Sequence, residues 1–303
     1  MSLPYIPFTA ESQLDWLALT DALEAGHALP RAEIADTFLR RRGDTLLNRA
    51  AWIDGLGLAV KSATIFPDNR DLPTVNGAVT LFSDENGTAQ ALVDFHLVTK
   101  WKTVGDSLLA ARKLAPKGAE SIAILGAGSV AGALIEAYSV LFPDARFTLW
   151  NRTQARAEAL AADFPQVRVA ADAETAVAMA DIVCCATMST EPVLRGDWLR
   201  PGQHVDLIGA YRADMREADD AVLKRARIFL DSRDTVLGHI GELAIPIAAG
   251  VIGAEDVVAD YYDLAGGAFA RQSDDEITLF KNGGGAHLDL MTARYILDTV
   301  GTG

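Results

Sequence analysis

The run Ser121-Ile-Ala-Ile-Leu-Gly126-Ala-Gly128-Ser-Val-Ala131-Gly-Ala-Leu134, followed by Phe147-Thr-Leu-Trp-Asn-Arg-Thr153, reads as a buried strand, a glycine turn, a helix and a second strand. This unit seats a dinucleotide pyrophosphate on a helix N-terminus, where unpaired backbone N–H groups and the helix dipole meet negative charge. Gly126 permits the tight turn, and Gly128 lets the backbone approach the phosphates. Ser129 and Val130 carry the first helical amides, and Ala131 is the third small position, where helix and strand pack closely. An Asp or Glu ending the second strand would accept hydrogen bonds from the ribose hydroxyls of NAD. The chain has Asn151, Arg152 and Thr153 there, which are neutral or positive and rich in donors. They suit a 2′-phosphate, so NADP (NADPH) is the expected cofactor, with NAD as the alternative. Thr187, just past the apolar run 182–186, joins the expected cofactor-binding set.

Working outward, 303 residues with half of them hydrophobic suffice for one large core or, as the patterning indicates, two smaller ones. A net charge of -14 argues against a nucleic-acid partner or an anionic membrane surface. The short basic run Arg40-Arg41-Arg42 reads as a solvated helix end. The only two cysteines, Cys184 and Cys185, are neighbours inside an apolar run that reads as a buried parallel strand. Adjacent cysteines are poorly placed for a disulfide, and no metal-ligand spacing is present, so a reducing cytoplasm is expected. No signal peptide and no apolar run of membrane-spanning length is read from the chain.

Two regions of different periodicity meet near Pro116-Lys117-Gly118. Before them lie a helical stretch at 13–26 and short alternating segments at 46–53, 56–65, 77–83 and 90–95, with Asp84-Glu-Asn-Gly87 as a hairpin signal. A helix is expected over 103–114, opened by Lys102. Beyond Gly118, strands and helices alternate, which predicts a doubly wound parallel sheet. The last helix, about 286–300, follows Gly283-Gly284-Gly285 and reads as a return to the first domain or a buttress. The expected fold class is α/β. A Rossmann-type domain occupies 118–285, and a β-rich substrate and dimerisation domain is built from 1–117 together with 286–303.

With these motifs in place, the chain resembles the ornithine cyclodeaminase and mu-crystallin family over nearly its whole length. The resemblance rests on Val60-Lys61-Ser-Ala-Thr-Ile-Phe-Pro-Asp-Asn69, Gly77-Ala-Val-Thr-Leu-Phe82, Leu92-Val-Asp94 and Val98-Thr-Lys-Trp-Lys102-Thr103. It continues through the glycine turn, Trp150-Asn-Arg-Thr153, Thr190-Glu-Pro-Val-Leu194, Gly209, Arg216-Glu217 and Asp231-Ser232. The Trp-Asn-Arg-Thr string looks like the NADPH-using mu-crystallin branch. The resemblance implies a homodimer joined through its N-terminal domains, with the active site between the two domains of each chain.

Two departures bear on chemistry. Lys102 stands where the family usually carries an arginine that binds the substrate carboxylate, which keeps the charge and loses the planar fork. Gly209-Ala210-Tyr211-Arg212 lacks the aspartate that cyclodeaminases place shortly after the matching glycine. The resemblance therefore implies reduction of an imine, or the reverse oxidation of an amino acid, rather than cyclodeamination.

Lys61 ends an apolar run and is read either as a solvated strand end or, through the motif around it, as a carboxylate ligand. Arg49 is the second candidate for that carboxylate, against an exposed edge-strand arginine. Lys102 is paired with Asp106 four residues on, either as a surface i,i+4 bridge or as a catalytic pair facing the substrate. Thr103 is read as a ligand contact or as an N-cap. Arg212 is a candidate for a second acidic group on the substrate, and His96 is either a proton donor or a surface turn residue. The expected activity is NAD(P)H-dependent reduction of a small 2-imino acid or cyclic ketimine. The alternatives are an ammonia-releasing cyclodeaminase and a non-catalytic NADPH-dependent binder of a small ligand.

Overall fold

The computed structural model describes residues 3–301, and the chain falls into two compact units, Met1–Gly105 with Gly285–Gly303, and Asp106–Gly284. The first break lies inside a helix, earlier in the chain than Pro116-Lys117-Gly118.

The first unit holds β1 (Tyr5–Ile6), α1 (Trp16–His27), β2 (Glu33–Arg41), β3 (Asp44–Ile53), β4 (Gly57–Ile65), β5 (Val75–Phe82) and β6 (Ala89–Asp94). It also takes the first half of α2 (Phe95–Leu114) and the C-terminal helix Ala286–Val300. The six strands lie in the order β1-β6-β5-β4-β3-β2, antiparallel except where β1 runs parallel to β6. The C-terminal helix packs on β3 and β4, and α1 packs on that helix. Alternation along each strand therefore sends Ala59, Lys61 and Ala63 inward and leaves Leu58, Val60 and Ser62 on the other face. Residues directly opposite one another share a face. The pairs Asp36↔Arg49, Arg49↔Lys61 and Lys61↔Val79 thus set Asp36, Arg49 and Lys61 in one row under the helices.

Three features differ from what the sequence predicts. Arg40, Arg41 and Arg42 form the end and hairpin turn of β2, a strand exposed along its whole length, and not a helix end. Without a buried face, β2 shows no alternation to read. Lys61 is the fifth of nine residues in β4 and not a strand end. The helix opens at Phe95, because Asp94 Oδ1 accepts from the amides of His96 and Leu97, both at 2.9 Å. Lys102 and Thr103 therefore sit in mid-helix, which excludes a capping role for Thr103, and His96 is an exposed first-turn residue.

The second unit alternates as expected: β7 (Ser121–Leu125), α3 (Ser129–Leu141), β8 (Arg146–Trp150), α4 (Gln154–Ala161), β9 (Val167–Val169), α5 (Ala173–Met179) and β10 (Ile182–Cys185). Then come β11 (His204–Leu207), α6 (Asp220–Arg225), β12 (Ala226–Leu230), α7 (Arg233–Val236), α8 (Gly241–Ala248), β13 (Val257–Ala259) and β14 (Ile277–Lys281). The eight strands are parallel in the order β13-β12-β14-β11-β10-β7-β8-β9. Strand order runs one way from β7 and the other way from β10, so the topological switch point lies between them, where such sheets bind ligands. Cys184 and Cys185 are buried in β10 as free thiols whose pKa burial pushes well up. At the end of β12, Asp231 Oδ2 accepts from the amides of Gly283 and Gly284 at 3.1 and 2.6 Å, which fixes the glycine run. No helix among the described residues is long and apolar enough to cross a membrane.

Candidate functional site

In the first unit, three cations gather around one buried carboxylate. Lys61 Nζ donates to Asp289 Oδ1 at 2.9 Å, with both side chains almost sealed from water. The Lys61 ammonium also lies 4.7 Å from the centre of the Phe95 ring. Phe95 fits there because residue 77 is glycine; a Cβ at Gly77 would fall 2.8 Å from the ring and 2.1 Å from the Ser62 carbonyl oxygen. Arg49 Nε donates to both oxygens of Asp36, at 3.1 and 3.2 Å. Lys102 is 8 % exposed and forms no ion pair among the described residues. A buried ammonium without a close ion pair is costly, and an anionic ligand would offset that cost.

Electrostatics within the cluster agree with that reading. Burial pushes the Lys61 ammonium below its ordinary value, Asp289 pushes it back up, and Lys102 and Arg49 press it down again. Burial raises the Asp289 carboxyl, but Lys61, Lys102 and Arg49 together hold it below the usual carboxylate range, so it stays ionised. His287, beside it on the C-terminal helix, is kept neutral by burial, with His27 5.4 Å away ring to ring.

Of the residues expected here, Lys61, Lys102 and Arg49 come together in the first unit. Thr103 lies half-buried one residue beyond Lys102. Asp106 belongs to the second unit, fully buried, with its backbone carbonyl accepting from the Tyr261 hydroxyl. The i,i+4 bridge from Lys102 to Asp106 is not formed among the described residues. Asp289 went unread, although a lone acid in the apolar string Ala286-His-Leu-Asp-Leu-Met was a signal that something inside the core must answer it.

The second unit supplies the dinucleotide cradle. Gly126 has φ +118, and a Cβ there would sit 2.4 Å from the Ala186 carbonyl oxygen, so only glycine fits the turn. Gly128 differs: it is an extended N-cap at φ -99, and a Cβ on it would meet nothing within 4 Å. The space beside it is open to a ligand, and the first-turn amides of α3, from Ser129 and Val130, have no intrahelical partner. After β8, Asn151 Nδ2 donates to the Thr153 carbonyl at 2.9 Å, which tightens the turn. Arg152 on that turn is exposed and makes no ion pair among the described residues. The donors, the glycine turn and the switch point fit a nicotinamide dinucleotide.

Glu217, quoted above only as a motif residue, organises the ends of β10 and β11. Its Oε1 accepts from the amide and hydroxyl of Thr187, both at 2.7 Å, and its Oε2 from the Gly209 amide at 2.6 Å and the Ala210 amide at 3.3 Å. Burial and the neighbouring Glu242 push this carboxyl up to about 8, against the pull of Lys281 and of these donors. With the Thr187 hydroxyl turned to Glu217, the loop after β10 is held to the loop after β11. Tyr211 is exposed, and Arg212 grips Asp214 through two contacts at 2.8 and 3.1 Å.

Residues 34–303 match the model of the ornithine cyclodeaminase/mu-crystallin family. The chain is 50% identical over 295 residues to the Delta(1)-pyrroline-2-carboxylate reductase of Paracoccus denitrificans, covering 95% of this chain and 93% of that one. It is 32% identical over 249 residues to the rat ketimine reductase mu-crystallin, covering 81% and 77%. Among solved structures, an archaeal alanine dehydrogenase dimer with bound NAD has the same fold, with a TM-score of 0.90 and 27% identity over 99% of this chain and 96% of that one.

The contrast between the two glycines is testable. Gly128→Val should leave the thermal unfolding midpoint within about 2 °C of wild type, since its backbone is ordinary and its surroundings are open. The same variant should weaken binding of the reduced nicotinamide dinucleotide at least about tenfold, or about 1.4 kcal/mol, in a fluorescence titration. Unchanged affinity would mean that no phosphate approaches Gly128.

Proposed function

Because the chain belongs to the ornithine cyclodeaminase/mu-crystallin family, we propose that its cation cluster receives the carboxylate of a small 2-imino acid or cyclic ketimine. The reaction is NAD(P)H-dependent reduction of the C=N bond, in which the imine carbon gains a hydride and the nitrogen a proton. The observation that carries this reading is Lys102, a buried ammonium with no ion pair among the described residues, beside the Lys61–Asp289 pair. Three cations against the two carboxylates Asp289 and Asp36 leave the cluster net positive, suited to one anionic group. Holding the carboxylate makes hydride delivery to the adjacent carbon a positioned, effectively unimolecular event. A bound nicotinamide dinucleotide supplies the hydride; Gly126, Gly128, Ser129 and Val130 would hold its phosphates, with Thr187 on the neighbouring loop.

Cyclodeamination fits less well, because an exposed phenol, Tyr211, stands where an ionised carboxylate would be needed. We expect NADPH to be consumed with Δ1-pyrroline-2-carboxylate or Δ1-piperideine-2-carboxylate, and no ammonia to appear from ornithine. Lys102→Ala should raise KM for the imino acid about tenfold to a hundredfold, the range of one charge-assisted contact, while Lys102→Arg retains activity. Proline formed from ornithine with catalytic traces of cofactor would replace this reading with the cyclodeaminase one.

The exposed Arg152, with Asn151 and Thr153 beside it, supports NADP over NAD. The discrimination should be about 1.5–3 kcal/mol in kcat/KM. Arg152→Ala should remove most of it, and a preference that survives that change would locate 2′-phosphate recognition elsewhere.

A homodimer is the third part of the proposal. On the sheet face away from the helices, Trp52, Leu58 and Phe82 stand side by side across three strands, with Val60 in the next row. Trp52 is 48% exposed, which suits a second copy of the chain. The buried free thiols of β10 fit a reducing, cytoplasmic setting. Sedimentation equilibrium should return twice the chain mass, falling to the monomer in Leu58→Arg.

A further inference from the structure

We propose that Asp289 is the residue that positions the Lys61 ammonium for the substrate carboxylate, an inference resting on the carboxylate reading above. The two side chains come from distant parts of the chain, the middle of β4 and the first turn of the C-terminal helix, and meet at 2.9 Å. Position four of that helix is favourable for an acid, because the N-terminal dipole and the unpaired first-turn amides lie close by. Asp289 Oδ2 is sealed from solvent and has no hydrogen-bond partner among the described residues. An oxygen that water cannot reach does not touch substrate, so Asp289 acts through Lys61.

The pairing does two things. It restrains a four-carbon side chain that would otherwise lose its orientation, with the Phe95 ring limiting the other side. It also opposes the pressure on Lys61 to lose its proton, which comes from burial, from Lys102 of α2 and from Arg49 of β3. The remaining titratable groups about the pair are Asp36 of β2, His27 of α1 and the neutral His287 of the C-terminal helix. Lys61 already sits below its ordinary value, so removing the Asp289 charge lowers it further, and the ammonium is lost at a lower pH.

The test uses the intact chain with Asp289→Asn and Asp289→Glu. In Asp289→Asn we expect KM for the imino acid to rise at least tenfold at pH 7.5. The alkaline limb of kcat/KM should move at least one pH unit lower, with the NADPH dissociation constant unchanged. Asp289→Glu keeps the charge and displaces it by one methylene, so its alkaline limb should match wild type while KM rises severalfold. Calorimetric binding of pyrrole-2-carboxylate at pH 7 and pH 9 gives a readout independent of turnover and should follow the same order. The inference is overturned if the Asn variant keeps the wild-type alkaline limb, or if the Glu variant keeps the wild-type KM. A wild-type protein that neither binds pyrrole-2-carboxylate nor reduces any imino acid would overturn the carboxylate reading, and this inference with it.

Discussion

A lysine in the middle of a β-strand, facing the covered side of its sheet, is an unstable choice unless a negative charge meets it there. In this chain the charge comes from Asp289, 228 positions further on, and the pair closes the first unit around its C-terminal helix. Desolvating an ammonium and a carboxylate costs several kcal/mol each, and their mutual attraction recovers this only with good geometry. The pair is therefore better understood as a device for placing charge than as a source of stability. Everything else in the cluster depends on it. Asp289 answers Lys61 and Asp36 answers Arg49, while Lys102 forms no ion pair among the described residues.

The second unit satisfies its buried carboxyl groups by other means. Among the described residues, Glu217 is met by backbone amides and a hydroxyl from the ends of β10 and β11. Gly209 makes that closeness feasible, since a Cβ on it would overlap the Thr187 carbonyl. Asp231 repeats the device at the glycine run, with amides of Gly283 and Gly284. Both carboxylates serve the loops at strand C-termini, which is where a doubly wound sheet presents its ligand-binding groups.

The parallel sheet was legible because each of its early strands is a short apolar run closed by a turn signal, and the glycine turn fixed the switch point. Its later strands were not: β13 is three residues long, and β14 inserts between β11 and β12, a crossing that no local pattern encodes. In the first unit β3 to β6 were visible through alternation, whereas β2 buries too little to alternate. The start of α2 was missed because Asp94 serves both as the last residue of β6 and as the helix cap, and the strand reading masked the cap. Lys61, Lys102 and Arg49 were found from motifs. Their partners were not, because Asp289 and Asp36 enter the cluster by register and by chain return, which become readable only once the sheet is assembled.

The Asp94 cap also sets the angular phase of α2. Lys102 lies eight residues beyond it, about two turns of helix. The tip of the β5–β6 hairpin is a surface turn of the kind that accepts changes in length. The junction between Asp94 and Phe95 is not, although it too is a connection between elements. One residue added there would rotate the helix by about 100° and carry Lys102 away from Lys61, while Trp101 would leave its stack on Trp16. Along this part of the chain, drift in length is open to the hairpin and closed to a joint that has no loop at all.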